Sequence, residues 1–219
     1  MITYNDVKND EKIKAYIQKA DESLLALGFT EHSFAHVGLV SERAGYILKT
    51  LGYPKEDIEL VKIAGYLHDI GNIVNRKEHS QSGAVMAFRI LDKMNMDAED
   101  IATVVTAIGN HDEGEGEAVN PIAAALIIAD KSDVRRTRVR NADIINFDIH
   151  DRVNYSVIES NLSVDKSEAS VKLSLTIDTE ISSVMNYFEI FLKRMLMCQK
   201  AATRLKLSFK LFINGQQLL

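Results

Sequence analysis

A single cysteine, Cys198, is all the thiol this sequence contains. With no partner in the chain it excludes a disulfide framework and favours a reducing cytosol. It also disfavours a structural zinc site, which draws mostly on thiolates. Set inside a helical pattern, Cys198 reads as a small core hydrophobe. Long apolar runs are missing too. The longest, Ile122 to Ala129, falls well short of a membrane span, and the opening MITYNDVKND lacks the basic flank and apolar stretch of a leader. The expectation is a cytoplasmic protein with no membrane partner. Positive charge is in deficit, at a formal net charge of -5 over 219 residues. That balance argues against nucleic acid as a partner, although the run RRTRVR at 135–140 pulls the other way. No internal repeat or low-complexity linker breaks the chain.

What is present is a series of helical patterns that bring ionisable residues onto buried faces. In IELVKIAGYLHDIGN, residues 58–72, Ile58, Val61, Gly65 and His68 recur at helical spacing. The imidazole therefore points inward, Asp69 follows about 100° around the axis, and Gly71 is expected to supply the left-handed position that ends the helix. Residues 5–27 read as one amphipathic packing helix ending near Gly28. A second helix, capped by Thr30 or Ser33, carries His36 at the inner edge of its apolar stripe, with His32 before it at the surface or behind the first rank of residues. His79 opens the stripe that continues through Gly83, Ala87 and Ile90. Asp97 and Asp100 begin a helix that His111 closes. Asn120-Pro121 starts PIAAALIIAD, a helix apolar almost all round that ends on Asp130. From Val153 the period drops to two. Val153, Tyr155 and Val157, then Val171, Leu173, Leu175 and Ile177, predict a hairpin around DKSE. A helix through Phe188, Phe191 and Met195 and a last strand through Phe209 and Leu211 follow. The predicted fold is mainly α, with a helical region over 1–150 and a small α+β (β-β-α-β) appendage over 151–219.

A carboxylate at the end of an all-apolar helix needs a cation, and no in-phase lysine or arginine precedes Asp130 on its helix. Other helices bring His36, His68-Asp69, His79 and His111 toward the same core. Imidazole and carboxylate without thiolate suit Mn, Fe, Co, Ni or Zn. The order H…HD…H…H…D, with HDIG and a distant aspartate in IIAD, resembles the HD-domain superfamily of metal-dependent phosphohydrolases in its six-ligand, two-metal form, over roughly residues 30 to 140. The resemblance implies an HD-type helical bundle, and two divalent transition-metal ions as cofactors. One would be held by His36, His68, Asp69 and Asp130. The other would be held by Asp69, His79 and His111. It implies cleavage of a phosphate ester or anhydride of a nucleotide-like small molecule by a hydroxide bridging the metals, with Asp69 catalytic. Asp133 would act as an orienting residue or a general acid. Lys131, Arg135 and Arg136 after the last ligand, and Arg76 and Lys77 after the HD helix, are the expected phosphate-binding residues. Asn72 stands where the branch that cleaves cyclic dinucleotides carries a lysine, and NHDEGEGEAVNP replaces its HHE and GYP, which counts against that activity. Two other readings stay open: a mixed-valent di-iron oxygenase with a similar ligand order, and a regulatory protein that binds a nucleotide without hydrolysing it. The appendage is expected to mediate homodimerisation or gate the substrate.

Overall fold

The computed structural model describes residues 2–114, 116–140 and 148–219. The segment read as one N-terminal helix is two, α1 (Tyr4–Asn9) and α2 (Glu11–Ala26). The break falls at Asp10, which is extended and whose carboxylate accepts from the amides of Lys12 and Ile13 to start α2. Ser33 caps α3 (Phe34–Leu51) by accepting from the Ala35 amide, and Gly52 ends it at φ 86°. The HD helix, α4 (Lys55–Leu67), begins after Pro54 with Glu56 and Asp57 in its first turn. It passes through His68 and Asp69 into a 3-10 turn, Ile70–Ile73.

Gly71 lies inside that turn and not at a left-handed stop, because the positive-φ glycines among the described residues are Gly28, Gly52 and Gly215. Its purpose is close approach: a Cβ there would lie 2.0 Å from the His79 carbonyl oxygen and 2.4 Å from the Gly83 amide. The turn after the HD pair and the start of α5 (His79–Lys93) therefore meet backbone to backbone. Gly65 does the same for α4 against α3, where a Cβ would come within 2.9 Å of Ser41 Cα.

Asp97 caps α6 (Ala98–Gly109), and Asn120 caps α7 (Pro121–Lys131) with proline at the first helical position. Every residue of α7 from Ile122 to Lys131 is buried. Burying each Ile or Leu there contributes on the order of 1.5–3 kcal/mol. The helix runs through the centre, packed by α3, α4, α6 and, near the C-terminus, α9 (Val184–Arg204).

Val153 and Tyr155, read from sequence as the start of a strand, belong instead to α8 (Ile149–Ser156), which Asp148 caps through the Asp151 amide. Val153 and Val157 are spaced four apart and both buried, so they satisfy a helix as well as an alternating strand. The hairpin then forms as expected, β1 (Val157–Asp165) antiparallel to β2 (Ser170–Ile177). Helix α9 carries the chain to β3 (Ser208–Ile213), parallel to β2, and the two-residue β4 (Gln216–Gln217) closes the order β1-β2-β3-β4. The fold is mainly helical with a small C-terminal mixed sheet. The sheet turns Val171, Leu173, Leu175, Phe209, Leu211 and Ile213 inward, while α9 presents Tyr187, Phe191, Met195 and Cys198 to the interior. Among the described residues no helix is long and apolar enough to cross a membrane.

Candidate metal centre

Six ionisable side chains from five places in the chain meet at the C-terminal end of α7, and all are buried: His36, His68, Asp69, His79, His111 and Asp130. In each imidazole Nδ1 faces an acceptor on the outer side. His68 meets the Gly65 carbonyl at 2.8 Å, His79 the Arg76 carbonyl at 3.1 Å, and His111 the Ile108 carbonyl at 2.6 Å. His36 meets the Asp133 carboxylate at 2.7 Å. A carbonyl or carboxylate only accepts, so Nδ1 carries the proton and the Nε2 lone pair is turned to the centre. Three of the four anchors lie three residues back on the same turn, so the local backbone alone sets those ring orientations.

The four Nε2 atoms converge in two pairs, His36 with His68 at 3.3 Å and His79 with His111 at 3.2 Å. Asp69 stands between them. Its Oδ2 lies 3.5 Å from His36 Nε2 and 3.3 Å from His68 Nε2. Its Oδ1 lies 3.4 Å from His79 Nε2 and 4.0 Å from His111 Nε2. Asp130 Oδ1 joins the first pair at 3.4 and 3.7 Å. Lone pairs at such separations repel unless a cation lies among them, and the donor set of nitrogen and oxygen fits a transition metal. Two triads, His36/His68/Asp130 and His68/Asp69/His111, bring one ligand atom from each residue within 4.8 Å of the others and could each hold a metal ion.

The electrostatics say the same. Burial opposes a charged His68, yet the carboxylates of Asp69 and Asp130 outweigh it and push the imidazole up to about 10. The cluster thus takes up a proton when it has no metal. Burial and the neighbouring charges of His68 and Lys131 hold His111 well below its usual value. Asp69 is held ionised against burial mainly by His68, and Asp130 mainly by Lys131.

Beside the cluster opens a cavity of about 410 Å³. Of the expected phosphate-binding residues, Arg76 and Lys131 line it, while Lys77, Arg135 and Arg136 do not. Lys77 is exposed. Arg135 is tied to Asp133 and Glu31, and Arg136 donates to the Tyr155 carbonyl and stacks on that ring at 4.6 Å. Arg138 and Arg140 are also engaged, the first on the Glu31 and Asp133 carbonyls and the second on Asp21. The basic run is thus largely spent within the molecule. Lys131 is itself held, 2.8 Å from Asp130 Oδ2 and 3.4 Å from Glu113. Arg76 leans on the Phe29 ring and reaches toward His79 Nε2 at 3.5 Å.

Asp133 stands behind His36, 1% exposed, with Arg138 and Arg135 holding its carboxylate far below the usual range despite burial. Asp133 thus faces His36 Nδ1 and is not among the residues that line the cavity. Sequence reasoning missed Phe29, Arg138, Phe191 and Arg194 in the cavity wall. Arg138 had a signal in RRTRVR, but nothing in the helical pattern of α9 marks Arg194. His32 sits edge-on to His36 at 5.4 Å between ring centroids and also lines the cavity.

An uncharacterized protein of Methanocaldococcus jannaschii is 25% identical over 160 residues, 63% of this chain and 61% of that protein. Ribonuclease Y of Enterococcus faecalis is 30% identical, and that of Latilactobacillus sakei 31%, each over 111 residues. Those matches take in 49% of this chain and 19% of each ribonuclease, so the chain spans less than two thirds of the first relative and about a fifth of the other two. The HD domain family matches over residues 33–137, a span that includes all six residues of the cluster. Residues 33–137 of this chain are an HD domain, built around a buried His/Asp cluster able to hold metal.

Proposed function

We propose that the protein is a metal-dependent phosphohydrolase acting on a small phosphorylated, nucleotide-like substrate. The observation that carries this reading is Asp69, one carboxylate whose two oxygens face two separate pairs of imidazoles. His36, His68 and Asp130 would hold one ion together with Asp69 Oδ2, and His79 and His111 a second with Asp69 Oδ1. Two divalent cations so held would lower the pKa of a bound water and offset charge on a phosphoryl group under attack.

The rest is work done by the chain. The Nδ1 anchors keep the four Nε2 atoms aimed inward before any ligand arrives, so little movement of the rings is needed on binding. Arg76 gives the cavity positive charge for phosphate oxygens, and Leu27, Phe29 and Phe191 give it an apolar wall for a base or another flat group. Two relatives carry the name ribonuclease, which favours a phosphoester as the bond cleaved. A small substrate is preferred to a polymer because the arginines of the basic run are engaged with Asp133, Glu31, Tyr155 and Asp21, leaving little track for a nucleic-acid backbone.

The test is a screen of the metal-free protein, reloaded in turn with Mn, Fe, Co, Ni or Zn, against nucleotides, simple phosphate esters and a short RNA. Release of phosphate or a nucleotide from a small ester or anhydride, lost on chelation and in Asp69→Ala, is the expected result. No turnover with any metal, or oxygen consumption by the iron form without phosphate release, would overturn the proposal. Cleavage confined to the RNA would overturn its substrate class.

A further inference from the structure

We propose that helix α9 positions a metal ligand: Arg194 acts through Glu113 and Lys131 to hold the Asp130 carboxylate in the orientation that faces His36 and His68. This rests on the metal-site reading above and assigns a role in it to the C-terminal part of the chain.

The four residues form a line of alternating charge. Arg194 Nε lies 2.5 Å from Glu113 Oε1, and Lys131 Nζ lies 3.4 Å from the same oxygen and 2.8 Å from Asp130 Oδ2. The two contacts to Glu113 are charge contacts, since its Oε1 makes no aligned hydrogen bond among the described residues. They lie within the fold: side-chain exposure is 5% at Lys131, 12% at Asp130, 20% at Glu113 and 26% at Arg194. In that setting an uncompensated charge is costly, so each member needs the next. The line ends at the oxygen of Asp130 that does not face the imidazoles, while Oδ1 points to His36 and His68.

Asp130 needs this help more than the other ligands do. His68, His79 and His111 are anchored by carbonyls of their own turns, and His36 by Asp133. Among the described residues the Asp130 carboxylate, at the last turn of α7, has no such anchor from its own turn, and Lys131 is the cation that faces its outer oxygen. Lys131 restrains it, but Lys131 also faces Glu113. Arg194 decides that competition by neutralising Glu113. Without the guanidinium, Glu113 draws the ammonium away and Oδ2 is released. Arg194 is well placed for the task, stacked at 4.6 Å from the Phe191 ring, on a helix packed against α7. It is a positioning residue, two contacts removed from the ligand.

The experiment is calorimetric titration of Mn²⁺ into metal-free full-length protein, comparing wild type with Arg194→Gln, Glu113→Gln and Arg194→Lys, beside a thermal melt of each metal-free form. Loss of a residue that orients a ligand typically weakens metal binding about tenfold or more. Arg194→Gln is expected to weaken one of the two sites by about that factor, Glu113→Gln, which removes the competitor for Lys131, to keep wild-type affinity, and Arg194→Lys to recover most of the loss. The two substitutions change net charge in opposite senses. A mere field effect would therefore move affinity up in Arg194→Gln and down in Glu113→Gln, and that result would overturn the proposal. So would unchanged affinity in Arg194→Gln, including the case where that variant only lowers the melting temperature or only raises a Michaelis constant. If wild type binds no Mn²⁺ the metal-site reading fails and this one with it. If wild type binds Mn²⁺ and Arg194→Gln matches it, only this one fails.

Discussion

Asp69 and His36 occupy opposite ends of one argument about how a buried polar residue is justified. Asp69 is surrounded by imidazoles on both oxygens, and Asn72 Nδ2 donates to its Oδ1 at 3.0 Å. His36 reaches the same centre only because Asp133 accepts from its Nδ1, and Asp133 is in turn held by Arg135 and Arg138. Asp133→Ala should therefore weaken one metal site by about 10–100-fold without touching the cavity, a loss that metal titration of the metal-free protein would register. His68 makes a second prediction. In the metal-free protein its raised pKa stabilises the fold fully below its ordinary value of 6.5, and that contribution is lost as pH rises toward about 10. At neutral pH the imidazole is protonated, so metal binding must displace the proton. Titrations in two buffers of different ionisation enthalpy should show proton release, and apparent affinity should rise with pH between about 6.5 and 10. Binding heats independent of the buffer would contradict the proton-filled cluster.

At the scale of elements, the site is a set of helix ends held together by close approaches. Gly71 is the tightest of them, with the His79 carbonyl and the Gly83 amide where a side chain would begin. Gly71→Ala should cost at least ~1–3 kcal/mol, since backbone cannot yield as a side chain does. It should also loosen His79, whose helix must retreat. A thermal melt and a metal count on that variant check both effects. The ligand-bearing helices were legible in the sequence because caps and a 3.6 period agree at Ser33, Asp97 and Asn120, and because each histidine lies in phase with an apolar stripe. Elsewhere the pattern carried too little. Val153 and Val157 fit two periods at once, Asp10 splits a helix by a side-chain cap that periodicity does not register, and the role of Gly71 depends on a neighbour from another helix. Arg135 and Arg136 lie outside the cavity wall for a related reason: their partners Glu31, Asp133 and the Tyr155 carbonyl are set by the fold.

For the molecule as a whole, an apolar helix at the centre delivers one carboxylate to a cluster that the surrounding helices complete, and the C-terminal helix closes part of the cavity with Phe191 and Arg194. Two cation sites that share Asp69 are what this arrangement requires. Metal content of purified wild type, His79→Ala and Asp69→Ala, measured by elemental analysis after loading with Mn²⁺ and removal of excess, tests that most directly. About two ions per chain in wild type, about one in His79→Ala and none in Asp69→Ala is the predicted result, because only Asp69 faces both imidazole pairs. A His79→Ala protein that keeps the full wild-type complement of metal would contradict it.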